Sequence, residues 1–206
     1  MRLYHSPQTR STRILWLLEE LGVRSEVEVK WVSIQRSDGS SHADSTNPHP
    51  EGKVPLLDHD GVHIRESSAI VLYLTDLFPG KGLGRNIGDM HRGDYLSWLH
   101  YYGGVIEPVL TVHFSTMTPD DLFKFSFRGF EELSDRLTGH LSENQYLLGE
   151  TFSAADLLIS APFIWFSAMA PDTKPVREWI ARCAERPAFK KVTEEDLRFL
   201  DTKMTK

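Results

Sequence analysis

The 206-residue chain contains a single cysteine, Cys183. It has no internal partner for a disulfide, which fits a reducing compartment. No apolar run reaches the roughly 18 residues that a membrane-spanning helix needs. The start, Met1-Arg2-Leu3-Tyr4-His5-Ser6, lacks the apolar centre of a signal peptide. Base is also in short supply: 23 Lys and Arg stand against 29 Asp and Glu, a net charge of −6 that leaves no basic stripe for nucleic acid. The nine histidines form no His-x₃-His spacing and no paired-carboxylate pattern suited to a metal. Internal repeats and low-complexity segments are missing as well. These absences set the expectation of a cytoplasmic chain with no metal, no nucleic-acid partner and no membrane span.

An apolar content of 40% is enough to build a core of one or two domains. Residues 2–6 read as a strand. Ile14, Leu17, Leu18 and Leu21 recur at helical spacing, and Gly22 is a helix stop. Val27, Val29 and Trp31 alternate with Glu28 and Lys30, as in a half-buried strand. Ser33 to Glu51 is polar and reads as a long loop of the kind that carries function. Leu56-Leu57-Asp58 and Val62-His63-Ile64 flank an Asp60-Gly61 turn and form a hairpin, and Ala69 to Phe78 completes the unit as a helix. The order β-α-β-loop-β-β-α is the thioredoxin-like arrangement, with a right-handed crossover in its βαβ part.

The glycine-rich stretch 79–87 reads as a linker, and residues 88–206 as all helix. Leu99, Tyr102, Ile106 and Val109 form one apolar stripe, which Gly103-Gly104 and Pro108 should bend. Leu122 to Leu141 reads as a second helix. Ser153-Ala154-Ala155-Asp156 has the pattern of a capping box, with Phe152 and Leu157 as its hydrophobic staple, ahead of an apolar run to Met169. Trp179, Ile180 and Cys183 share a face of a further helix that ends near Arg186-Pro187, and Cys183 reads as a small core residue.

Two short motifs say most about chemistry. In Gly52-Lys53-Val54-Pro55 the proline has no N–H and is tolerated only on an edge or at a strand start, so Val54 can offer backbone groups to an extended ligand. In Glu66-Ser67-Ser68-Ala69-Ile70, Ser67 stands at a helix N-terminus that attracts a carboxylate, while Glu66 attracts an ammonium. A ligand with an amino-acid head and an extendable backbone fits both, and glutathione is such a ligand. The plain alternative is a strand, a turn and a capped helix with no ligand.

Lys53-Val54-Pro55 followed by Glu66-Ser67-Ser68-Ala69-Ile70 resembles the glutathione-binding half of a cytosolic glutathione transferase. Arg13-Ile14-Leu15-Trp16-Leu17-Leu18 is similar to the bacterial and fungal serine-type members, and the Ser153 box resembles that of the family's helical domain. The resemblance implies a thioredoxin-like N-terminal domain over 1–78 and an all-α domain over 88–206. It also implies a cis Val54–Pro55 bond, a homodimer, and glutathione as cosubstrate without a metal. Lys53, Val54, Pro55, Glu66 and Ser67 would bind glutathione, with His42, His49, Gln35 and Arg36 sharing the glycine carboxylate with Lys53. Relative to the usual Asn-Pro-x-Gly run, Asn47 to Gly52 is longer.

Such an enzyme must form a thiolate, because an ordinary cysteine thiol titrates near ~8.5. Aligned on Arg13, Thr9 falls where the serine-type members carry their activating hydroxyl. Arg10 falls where the bacterial cysteine-bearing class has its cysteine, and a guanidinium there would favour the thiolate by charge. Ser11 is a third candidate and Tyr4 a fourth, the latter also reading as packing. Thr9 and Ser11 can equally be helix caps, Arg10 a solvated charge, and Arg13 a structural one. The electrophile, a small apolar molecule, would meet His100, Gly103, Glu107 and Trp165, although the first three also suit a solvated or dimer-facing stripe and Trp165 a core position. Two other activities fit the same residues: a glutathione-dependent peroxidase or disulfide reductase, and a non-enzymatic binding or regulatory protein. An isomerase or dehalogenase on the same scaffold is a further possibility, since fold does not fix function.

Overall fold

The computed structural model describes residues 1–36, 39–115 and 118–204, the last three by backbone alone. Ser37 and Asp38, in the expected polar loop, lie outside the described residues. The chain divides into two compact units: Met1–Phe78 together with the segment that begins at Arg186, and Pro79–Glu185.

In the first unit, β1 (Arg2–His5), β2 (Glu28–Trp31), β3 (Leu56–His59) and β4 (Val62–Ile64) form one sheet in the order β2-β1-β3-β4. β1 and β2 are parallel, with Leu3 opposite Val29; β3 runs antiparallel to both β1 and β4. The crossover between the parallel strands is α1 (Thr12–Leu21), and α2 (Ser67–Leu77) follows the hairpin. Gly22 ends α1 in the left-handed conformation (φ 69°), its N–H returning to Glu19 and Leu18 carbonyls, as a Gly stop requires. The hairpin turn places Asp60 and Gly61 both at positive φ, the backbone that an Asp-Gly turn favours.

Ile14 to Leu18 are all fully buried. A helix apolar on every side must be covered on every side, and α1 is covered by α2 and by the C-terminal helix α9 (Pro187–Met204). The sequence reading assigned the stretch after Pro187 to the all-α region without delimiting a separate helix there. Instead, Pro187 is the first residue of a helix, where its missing N–H costs nothing. Phe189 packs 4.8 Å from Trp16, and Arg186 grips Glu20 through two hydrogen bonds of 2.6 Å.

The second unit is helical: α3 (Arg92–Tyr101), a π turn (Tyr102–Ile106), α4 (Glu107–His113), α5 (Asp121–Phe127), α6 (Phe130–Glu143), α7 (Ala154–Trp165) and α8 (Lys174–Ala184). The expected stripe Leu99, Tyr102, Ile106 and Val109 is buried. The disturbance expected from Gly103-Gly104 and Pro108 takes the form of the π turn, which relieves the clash between the proline ring and the carbonyl four residues earlier. The helix expected over 122–141 is two helices, because Arg128 and Gly129 both adopt positive φ (59° and 98°). The Ser153 box is formed, and Asp156 at its centre is fully buried and accepts from Leu147 N, Ser153 N, Ser153 Oγ and Trp179 Nε1 at 2.7–2.9 Å. Burial pushes its carboxyl above the ordinary range; the four donors oppose that push. Cys183 is buried in α8, as its spacing predicted.

Candidate active site

The turn between β1 and α1 carries the first half of the site. Pro7 and Gln8 reverse the chain, Gln8 with φ 52°, a conformation costly for a residue with a Cβ. An acceptor from α9 compensates: Gln8 N donates to Asp196 Oδ2 at 2.8 Å, and Thr12 Oγ1 donates to the same oxygen at 2.6 Å. Asp196 Oδ1 lies 2.9 Å from His5 Nε2, and both side chains are buried.

The helix-cap alternative can now be judged. Ser11 occupies the N-cap position of α1, but its side chain makes no capping bond. Instead, Ser11 Oγ is 2.8 Å from His5 Nδ1, 3.1 Å from the Ser6 carbonyl, and accepts from Ser6 N at 3.1 Å. Thr9 Oγ1 is 2.8 Å from Ser11 Oγ, donates to the Ser6 carbonyl at 2.7 Å and accepts from Ser11 N at 3.2 Å. Ser11 is fully buried, Thr9 half-buried and Arg10 exposed. The hydroxyl nearest solvent is therefore that of Thr9. Tyr4 is buried with Val32, Val54 and Leu56, which is the packing role already available to it.

The second half lies at the start of β3 and of α2. The Val54–Pro55 bond is cis. The β1–β3 register ends at the pair Tyr4–Leu56, which leaves Val54 beyond the last ladder pair. Pro55 is thus at a strand start and, since β3 is an inner strand, not on a sheet edge. Glu66 precedes α2 with φ 66° and is exposed; Ser67, the first helical residue, is buried. Positive φ in a glutamate is a strained backbone of the sort found where a side chain must be aimed.

The loop ahead of Val54 is held by its own side chains. Asn47 Nδ2 donates to the Lys53 carbonyl at 3.0 Å, and its Oδ1 accepts from His49 N at 3.1 Å. His49 Nδ1 accepts from Glu51 N at 3.1 Å. The His49 ring is buried, and burial lowers its pKa; the charges of Glu51, Arg65, Lys53 and Glu66 reach it more weakly. Lys53 is exposed and paired with Glu51. Among the other residues weighed for the glycine carboxylate, His42 and Gln35 are exposed, while Arg36 Nη2 donates to the Pro7 carbonyl at 2.7 Å and so ties the polar loop to the first half-site.

Within the second unit, His100 and Gly103 are exposed on the α3–π run, and Glu107 is half-buried and accepts from Tyr102 Oη. Trp165, at the C-terminal end of α7, is half-buried, so it is not a sealed core residue.

His5 and Asp196 were missed by sequence reasoning. His5 sits in a strand that reads as packing. Asp196 lies in a helix that went unrecognised, although a charged residue between Val192 and Phe199 at core spacing was a signal for it.

A thioredoxin-like sheet unit with a cis-proline at the start of β3 and polar groups at the first helix, followed by a helical unit, defines a class of thiol-handling proteins. Comparisons narrow it. Residues 1–76 match the profile of the glutathione S-transferase N-terminal domain, and residues 122–191 that of its C-terminal domain. Glutathione S-transferase 3 of Schizosaccharomyces pombe is 29% identical over 94% of this chain and 86% of its own length. Glutathione S-transferase F9 of Arabidopsis thaliana is 30% identical over 68% of this chain and 73% of its own. A sphingomonad glutathione S-transferase, solved in complex with glutathione, aligns at a TM-score of 0.74 and 25% identity, covering 95% of this chain and 98% of that one. The chain belongs to the glutathione S-transferase family.

Proposed function

We propose that this chain is a glutathione transferase in which Thr9 activates the thiol. Its hydroxyl donates to the glutathione sulfur at the N-terminus of α1, where the macrodipole also favours negative charge. Val54 pairs with the extended tripeptide backbone, Pro55 holds that segment in line, and Glu66 and Ser67 take the γ-glutamyl ammonium and carboxylate. Lys53, paired with Glu51 in the free chain, takes the glycine carboxylate. The thiolate then adds to, or displaces a group from, a small apolar electrophile, and we assign its binding to His100, Gly103, Glu107 and Trp165. Positioning and a lowered thiol pKa supply the acceleration. Glutathione is the cosubstrate, and we take the working form to be a cytoplasmic homodimer.

The observation that carries this reading is the position of Thr9. It is the half-buried hydroxyl of the turn, whereas Ser11 is buried and Arg10 is exposed. The test is a calorimetric titration with glutathione on wild type and Thr9→Ala, with ultraviolet thiolate absorbance recorded in parallel. We expect the tripeptide to bind both, and the thiolate signal to fall about tenfold in Thr9→Ala, the change that about one unit of thiol pKa brings when the thiolate loses a hydrogen-bond donor. An intact signal in the variant moves the role to Arg10 or Ser11. Absence of binding to wild type leaves the fold in place and favours the non-enzymatic reading. Faster turnover of cumene hydroperoxide or a mixed disulfide than of an aryl halide would instead make it a peroxidase or reductase.

A further inference from the structure

We propose that Asp196, His5 and Ser11 form a buried relay that takes up the glutathione thiol proton through the Thr9 hydroxyl. The inference rests on the Thr9 reading above and deepens it, because a hydroxyl alone can stabilise a thiolate but cannot keep the proton.

The hydrogen bonds have a direction. Asp196 is a carboxylate that already accepts from Gln8 N and Thr12 Oγ1, so it accepts from His5 Nε2–H as well. With its proton on Nε2, His5 is a neutral ring whose Nδ1 is an acceptor. Ser11 Oγ–H then donates to Nδ1 at 2.8 Å rather than to the Ser6 carbonyl at 3.1 Å, and Ser11 Oγ accepts from Ser6 N; the Thr9 hydroxyl, which rests on the Ser6 carbonyl, completes the chain by turning to Ser11 Oγ, 2.8 Å away. The chain Asp196–His5–Ser11–Thr9 thus runs one way, from a buried carboxylate to the hydroxyl nearest solvent. The same order of groups, acid to imidazole to hydroxyl, lets an imidazole take the proton of a serine in hydrolases. Here the buried serine does not meet substrate and passes the effect to its neighbour.

The step balances. The thiol S–H breaks and its proton goes to Thr9 Oγ1; the Thr9 proton moves to Ser11 Oγ, and the Ser11 proton to His5 Nδ1. The products are a thiolate and an imidazolium paired with the Asp196 carboxylate. Of the charged groups on the elements around His5, Asp196 on α9 is hydrogen-bonded to the ring. Lys30 lies over the Tyr4 ring, and the neighbouring acids of α9, Glu195 and Glu194, bond to Arg24 and Arg198. Trp31 presents its ring at 4.7 Å to His5 and is itself stacked on Phe199, which keeps water from that side. Thr9 would touch the sulfur; the other three are positioning and proton-holding residues.

The experiment is a proton inventory. Glutathione is titrated into wild type at neutral pH in two buffers of different ionisation enthalpy, with thiolate absorbance followed alongside. With the relay, the thiolate forms and little proton appears in the buffer, because His5 keeps it. Asp196→Asn is the informative variant. Its amide can satisfy all three partners only by donating to His5 Nε2, which places the ring proton on Nδ1 and reverses the relay. In that variant we expect either a thiolate signal lowered roughly tenfold or release of about one proton per site. A thiolate that forms in wild type with full proton release overturns the relay and leaves the transferase reading standing. Identical proton counts together with an equal thiolate signal in wild type and Asp196→Asn also overturn it. No glutathione binding in wild type removes both. The wild-type inventory decides the matter even if the variant does not fold.

Discussion

Two buried aspartates, Asp156 and Asp196, sit in networks that look alike and end differently. Asp156 closes the start of α7 with four donors, two from Ser153, one from Leu147 and one from Trp179, and every group in the set is buried. Asp196 gathers three donors across the start of α1, from His5, Gln8 and Thr12. Its network does not close: through His5 and Ser11 it continues to Thr9, which is half-open, and beside it Gln8 and Arg10 are exposed. A saturated set with no titratable partner can only hold structure. A set that passes through an imidazole and ends at a reachable hydroxyl can move a proton as well.

Deletion of each carboxylate breaks the comparison most severely. Asp156→Ala leaves four buried donors without an acceptor, and we expect a loss of about 4 kcal/mol, given that each stranded group costs about 1–3 kcal/mol and water cannot easily enter. A denaturant titration would read it. Among the molecules still folded, glutathione affinity should match wild type; a lower affinity would mean that this network also serves the ligand.

Asp196→Ala should cost less in stability and more in chemistry. It strands three donors, but Gln8 is exposed, so water can replace the acceptor at one of them. A destabilisation of about 2 kcal/mol is expected, together with relaxation of the Gln8 turn and loss of the bound thiolate. If Asp196→Ala lowered stability and left the thiolate signal intact, the two aspartates would be equivalent, and the open network would be structural too.

The same pair of sites shows how far sequence carried the reading. Asp156 was legible because its partner Ser153 is three residues away, and local spacing encodes a capping box. The sheet unit was legible for a similar reason: Gly22 and Asp60-Gly61 mark a helix end and a hairpin turn, and the alternation from Val27 to Trp31 marks a strand. Val54-Pro55 and Glu66-Ser67 could be placed at a strand start and a helix start because each motif is contiguous. Asp196 was not found, because its partner His5 is 191 residues away and nothing local signals such a contact. Pro187 was taken as the end of one helix when it begins the next. Two facts pointed to α9: Phe189, Val192, Asp196 and Phe199 at core spacing, and the run Ile14 to Leu18, which is apolar on all sides and so demanded a second cover. Arg128-Gly129 was overlooked because charged residues continue a helical pattern straight through a break that only the backbone angles reveal.

A third buried polar group, His49, offers the smallest perturbation and a contrast with His5. His5 is held between an acid and a hydroxyl, whereas the His49 ring is held as an acceptor for Glu51 N in a buried setting that lowers its pKa. An unfolded histidine titrates near ~6.5. As pH falls through that value the unfolded chain takes up a proton that folded His49 still refuses, so stability drops with falling pH until the folded-state value is passed. Above the unfolded value the shift contributes nothing. His49→Asn keeps an acceptor close to the position of Nδ1 and does not titrate. Thermal melts at pH 7 and pH 5 should therefore show a smaller drop in Tm for His49→Asn than for wild type, by less than either aspartate deletion costs. Equal drops would show that the ring is already wet, and the loop ahead of Val54 would then have to be held by Asn47 and the Lys53 carbonyl without help from His49.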